Sequence, residues 1–292
     1  MTNSGELIAT PALESSRSAR ARRWRIGLAV PATVLLVYLM IGIFGESLAP
    51  YSATDFNTGP ALARPSLEHF FGTDGYGRDV FSRVLVGAQT ILMLSIAATG
   101  FGVGIGCCIG LTSGYRGGAI DEVLMRFVDI LLALPGLLLA LLILTSLGPS
   151  SLNLVVAIAI VFVPKSARIA RSAILPLRNL GYVDAARLRG ARFATIVFRE
   201  LLPNVLPELI VEFCLRFAYA LLLISSLGFL GFGVQPPIPD WGLMISESRN
   251  YVTIAPWVVL FPALAIGVLV VTVNILADAL TSTGERRVGQ YL

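Results

Sequence analysis

Residues 88–115 read AQTILMLSIAATGFGVGIGCCIGLTSGY, a run without a charged side chain that is closed by Arg116. A helix needs about 20 mainly apolar residues to cross a bilayer, and this run is long enough to do so. Gly102, Gly106, Gly110 and Gly114 recur at every fourth position, which places them on one face of a helix. Such a strip lets a second helix approach closely, and helix packing accounts for it without a ligand.

The same criterion, applied outward from this run, finds five further spans at 26–44, 124–147, 152–170, 206–227 and 254–277. Pro135 predicts a kink inside the third span, and Gly148-Pro149-Ser150-Ser151 forms the turn into the fourth. The expected fold is therefore an all-α membrane protein with six transmembrane helices. Composition agrees: 55% of residues are hydrophobic and 14% charged, with mean hydropathy +0.79, more apolar than a soluble domain allows. No soluble domain and no internal repeat is legible. No small-residue cleavage pattern closely follows the first apolar core, so that run is expected to be a retained anchor.

Basic residues concentrate on the cytoplasmic side of membrane proteins. Arg17, Arg20, Arg22, Arg23 and Arg25 precede the first span, Arg116 and Arg126 lie near the second connection, and Lys165, Arg168, Arg171, Arg178, Arg187, Arg189, Arg192 and Arg199 crowd the fourth. Arg286 and Arg287 follow the last span, whereas the opposite side holds Arg64, Arg78, Arg83 and Arg249. Both termini are thus expected in the cytoplasm of a multi-pass chain. The predicted plan is a cytoplasmic tail at 1–25, a six-helix domain at 26–281 and a cytoplasmic tail at 282–292. Within the domain, 46–89 is external and 164–205 cytoplasmic. The net charge of +4 belongs to those loops and does not call for nucleic acid.

Several chemistries are excluded by what is missing. His69 is the sole histidine, and without a second histidine or a nearby cysteine it completes neither a metal site nor a triad; a structural role is expected. Cys107, Cys108 and Cys214 lie in apolar stretches and read as small packing residues. The only lysine, Lys165, follows Val163-Pro164, so the chain has no glycine-rich phosphate loop. It is expected to be non-catalytic and to hold no cofactor.

Three constellations remain. In the basic segment 164–205, broken by Pro176, Gly181, Gly190 and Pro203, the centre is Asp184-Ala185-Ala186-Arg187-Leu188-Arg189-Gly190, followed by Leu202-Pro203. Small residues at Ala185 and Ala186 suit a helix seated in a partner's groove, and Gly190 permits a sharp turn after it; an amphipathic helix on anionic headgroups reads equally well. Externally, Gly72, Thr73, Asp74, Gly77, Arg78 and Asp79 suit a turn that leads into the short amphipathic run Val80, Phe81, Val84 and Leu85. Either a structural turn or a contact with a partner protein fits it. Lastly, Glu208, Glu212 and Arg216 follow at intervals of four on the fifth span, where pathway lining and snorkelling toward the cytoplasmic end are the two readings.

The segment from Asp184 to Pro203 resembles the "E-A-A, three residues, G, nine residues, I-x-L-P" loop of binding-protein-dependent ABC importer permeases. Ala185, Ala186, Gly190, Leu202 and Pro203 match, while Asp184 replaces the usual Glu and Glu200 replaces an apolar residue. FGTDGYGRD at 71–79 resembles the external signature of the second permease in dipeptide, oligopeptide and nickel importers. SLGFLGFGVQPP at 226–237, with Pro239 and Trp241-Gly242, resembles that group's "L-x-F-L-G-F-G-x-x-P-P-x-P-x-W-G" segment. The resemblance spans about 26–285 in order and spacing. It implies a bacterial inner-membrane permease for peptides, or for nickel or another small solute. It also implies a second homologous permease, two ATPase subunits or domains that bind ATP and magnesium, and an external solute-binding protein. The Asp184–Gly190 element would be the helix that docks on the ATPase. An ion-coupled secondary transporter and an intramembrane hydrolase are the rivals from other classes: the first predicts discontinuous helices and carboxylates at mid-membrane, the second a nucleophile and a base buried together.

Overall fold

The computed structural model describes residues 11–288, with side chains described for 29–281. Residues 1–10 and 289–292, the outer parts of the two expected tails, lie outside the described residues. The helices are α1 (Pro11–Leu48), α2 (Val80–Arg116), α3 (Gly118–Leu132), α4 (Gly136–Leu147), α5 (Ser151–Ile174), α6 (Gly181–Leu188), the single turn α7 (Phe193–Thr195), α8 (Leu202–Phe229), α9 (Trp241–Ser248) and α10 (Trp257–Val288). A π-helical stretch, Ile196–Leu201, joins α7 to α8 without a break. Among the described residues the only extended pairing is an isolated bridge between Thr73 and Asp79.

Five segments are long and apolar enough to cross a membrane: Ala29–Leu48, Val80–Arg116, Ser151–Ile174, Phe193–Phe229 and Trp257–Thr281. The expected third span is instead two helices, α3 and α4, that meet at 85°. Pro135 supplies no N–H and its ring collides with the preceding turn, so the chain breaks there rather than kinks. α4 alone, at 12 residues, reaches about 18 Å, short of a hydrocarbon core of about 30 Å.

α2 and α5 run parallel and form the closest pair in the bundle. A Cβ on Gly102 would lie 2.9 Å from Ala159 O, one on Gly106 2.7 Å from Val163 O and one on Gly110 2.2 Å from Ala167 O. The glycine strip therefore seats the backbone of α5 directly. That packing carries α5 as one helix through Pro164 to Ile174, so the segment expected to break into short helices from 164 begins only after 174.

At the other end of α2 the boundary also moves. The first turns of α2 contain Val80, Val84 and Leu85, all buried. The amphipathic run expected as a separate external element is the start of this helix, and the irregular segment is 49–79. Asp79 fixes the start as N-cap, accepting from Ser82 N at 2.7 Å.

The apolar core has two parts. The larger joins α2, α4, α5, α8, α9 and α10 around Phe162, Leu221, Ile224 and Trp241. The smaller lies at the opposite end, where Leu111, Ile174, Val183, Ala186, Ile196 and Leu201 close α6 against α2, α5 and the π-helical stretch.

Candidate functional site

The glycines of the segment 71–79 take the turns expected of them: Gly72 has φ +73° and Gly77 φ +71°, values that carry a steric cost for any residue with a Cβ. Those turns aim Asp74 inward. Its carboxylate accepts from Tyr76 N at 2.8 Å, Arg78 N at 3.0 Å and Arg78 Nε at 2.5 Å. Arg78 Nη2 donates to Glu247 of α9 at 2.7 Å, and Arg83 Nη2 lies 3.8 Å from the same carboxylate. Thr73 donates to Pro60 O and accepts from Ala63 N at 2.8 Å. His69 is buried, with Nδ1 2.9 Å from Asp79 Oδ1 and its ring stacked on Tyr51, in keeping with the structural role expected of it. Thr73, Asp74, Arg78 and Asp79 are all buried within the chain, so this face is a cross-linked cap in which they serve as internal ties. Glu247 was not singled out by sequence; it lies 169 positions from Arg78, and no local pattern connects them.

The 226–242 motif closes the same cap. Trp241 is fully buried and donates Nε1–H to Val84 O at 3.0 Å. Gly242 sits where a Cβ would lie 2.1 Å from Ser225 O. Asp240 N-caps α9 by accepting from Leu243 N at 2.8 Å, and burial pushes its carboxyl up to about 6.

At the opposite end, α6 carries Asp184, Ala185 and Ala186, and Gly190 follows it with φ +74°. Ala186 is fully buried in the smaller core of its own chain and Ala185 is half-buried. The expectation that both sit in a partner's groove is corrected for Ala186: it is small so that α6 can lie close on its own bundle. The outward face is carried by Tyr182, Leu188 and Arg189, with Leu188 90% exposed; Phe198, in the π-helical stretch that follows, is also exposed. Arg187 anchors α6, donating to Asp184 Oδ1 at 3.1 Å, Arg178 O at 3.2 Å and Tyr115 OH at 3.2 Å. Leu202 opens α8, and Pro203 follows directly after the π-helical stretch, where its missing N–H removes one helical bond.

Within the membrane the structure separates the three expected residues. Glu208 is exposed, whereas Glu212 is buried and Arg216 half-buried. Arg216 Nε lies 2.9 Å from Glu212 Oε1, an ion pair without hydrogen-bond alignment, and Ser166 Oγ donates to the same oxygen at 2.8 Å. α8 continues a helix that begins at Phe193, so this pair lies inside a long helix and not at its end. Arg216 lies about 20 Å from Phe229 along the axis.

This bundle, with its internally tied cap at one end and a short outward-facing helix at the other, is that of a polytopic membrane protein. A family model described as binding-protein-dependent transport system inner membrane component matches residues 106–290. The dipeptide transport system permease protein DppC of Alkalihalophilus pseudofirmus is 41% identical over 254 residues, covering 87% of this chain and 84% of the relative. The glutathione transport system permease protein GsiD of Pectobacterium atrosepticum is 39% identical, covering 89% and 87%. Among solved structures, the MetNI methionine ABC transporter in an inward facing conformation superposes with TM-score 0.56 at 18% identity, over 69% of this chain and 95% of that one, a likeness of fold. The chain belongs to the family of binding-protein-dependent transport system inner membrane components and is an ABC importer permease. Of the features expected of a secondary transporter, a broken helix is present at Pro135, and Glu212 is a carboxylate buried within the chain on α8, but they occur here inside this family's fold.

Proposed function

We propose that the chain is the permease subunit of a peptide importer, working with a second homologous permease, two cytoplasmic ATPases and an external solute-binding protein. The observation that carries the substrate class is the near full-length likeness to permeases named for dipeptide and glutathione transport. Both termini and α6 face the cytoplasm, following the basic residues, and the cap built on Asp74, Arg78 and Glu247 faces the binding protein. ATP and magnesium belong to the ATPase subunits.

In this reading the exposed face of α6, with Tyr182, Leu188 and Arg189, docks on the ATPase. Asp184, Ala185, Ala186, Gly190, Leu202 and Pro203 shape the element behind it. Arg187 holds α6 to the end of α2, Arg178 Nη1 donates to Gly114 O at 3.0 Å, and Asp121 accepts from Arg171 at 2.7 and 2.6 Å. A push on α6 therefore reaches α2, α5 and α3 together, as rigid-body gating requires. Glu212 and Arg216 lie along the path.

The test is reconstitution of the whole assembly, with its binding protein, in proteoliposomes with labelled alanyl-alanine. ATP-driven uptake, with hydrolysis stimulated by loaded binding protein, is expected, and none from this chain alone. Uptake driven by an ion gradient without ATP would contradict the reading.

A further inference from the structure

The break between α3 and α4 opens a cavity of about 190 Å³ between those helices, α5 and α8, lined among others by Pro135, Gly136, Phe162, Lys165, Arg216 and Tyr219. Two of these side chains are cations. Lys165 makes no ion pair among the described residues; its Nζ lies 5.8 Å from the centre of the Tyr219 ring. Arg216 is paired with Glu212, which leaves the cavity one positive charge in excess. Lys165 lies about 20 Å from the start of α5 and Arg216 about 20 Å from the end of α8. α5 and α8 run antiparallel, so the two cations share one depth in the membrane. Lys165 is exposed and opens onto the cavity, and an intramembrane cation facing a cavity marks a solute or ion path by default.

The backbone adds to this field. The first N–H groups of a helix have no intrahelical acceptor and carry partial positive charge. Pro135, the N-cap of α4, offers no side chain to satisfy them, and Gly136 lines the cavity. Half-helix N-termini at membrane depth pointing toward anionic solute groups follow the same physics.

We infer that Lys165, with Arg216 and the N-terminus of α4, forms a carboxylate-binding station in this cavity, through which the cargo's terminal carboxylate passes. The inference rests on the peptide-importer reading for the identity of the cargo, but its electrostatic content does not. Glu212 is a positioning residue: its pairing with Arg216 and Ser166 holds the guanidinium beside Phe162, 5.9 Å from the ring centre.

The test uses the whole importer in phosphatidylcholine nanodiscs, with Cys107, Cys108 and Cys214 replaced by alanine and a reporter Leu134→Cys. Leu134 lines the cavity and is exposed. Rates of modification are measured with two methanethiosulfonates, one ending in sulfonate and one in trimethylammonium. The sulfonate-to-ammonium ratio is expected to fall about tenfold in Lys165→Gln and further in Lys165→Glu. N-acetylalanine should slow the sulfonate reagent with Lys165 present, and N-acetylalaninamide should not. Lys165 is exposed, so neither substitution disturbs the core. A ratio unchanged across Lys, Gln and Glu, or equal protection by acid and amide, overturns the station. Loss of the acid's protection when phosphatidylglycerol is added would assign the cations to lipid headgroups and also overturn it. Failure of the peptide reading shows separately, as absent alanyl-alanine uptake while the charge dependence persists.

Discussion

At Gly190 a left-handed turn stands in open space. Its φ is +74°, and a Cβ added there would meet no atom within 4 Å, so any cost of substitution comes from the backbone alone. Gly190→Val should therefore strain the turn by about 1–3 kcal/mol, whereas Gly190→Asn, which tolerates this region, should cost less. With α6 as the docking element, the valine variant is expected to assemble but lose uptake and coupled hydrolysis, and the asparagine variant to keep most of both. Equal behaviour of the two in uptake and ATPase assays would remove the turn from force transmission. Gly190 was legible in sequence because a glycine just past a short helix commonly supplies the left-handed residue that ends it. Ala186 was legible as a small residue but not in its role, since sequence spacing does not say which face of α6 the bundle covers. Glu247 and Lys165 were not legible as site residues. One finds Arg78 only through the tertiary fold, and the other reads as a charge closing an apolar run until the break at Pro135 opens a cavity beside it.

Among elements, the α2–α5 contact is the most constrained by geometry. Gly110 faces Ala167 O, while Gly104 on the other side of α2 has no atom within 4 Å of an added Cβ. Gly110→Ala should force the helices apart and destabilise the permease by about 1–3 kcal/mol through overpacking. Gly104→Ala should be neutral or slightly stabilising, because alanine is the better helix former. Thermal melting of the purified complex checks the pair, and equal melting temperatures would contradict the packing described here. Helix existence was legible throughout, since lipid demands apolar length and little else matches it. Helix ends were less so: the extension of α5 through Pro164 depends on the glycine strip it packs against, and the 85° turn at Pro135 depends on neighbours that sequence does not display.

For the molecule as a whole, the apolar segments were readable from uncharged runs of spanning length and the family from three motifs spread along the chain, and the fold followed. The two ends differ in construction. The cap at 49–79 and α9 is tied internally by buried ion pairs, while α6 leaves Leu188 and Arg189 outward. That asymmetry suits a face presented to a diffusing binding protein and a face gripped by an ATPase. Coupling requires those faces to lie on opposite sides of the membrane, with α6 in the cytoplasm. The measurement that decides this is labelling of intact cells with an impermeant maleimide, using single cysteines at Asn57, which is exposed on the cap, and at Arg189, which is exposed beside α6. Asn57→Cys should react from outside, and Arg189→Cys only after the membrane is opened. Reaction of Arg189→Cys in sealed cells would put α6 beyond the reach of any cytoplasmic ATPase and contradict the coupling proposed for it.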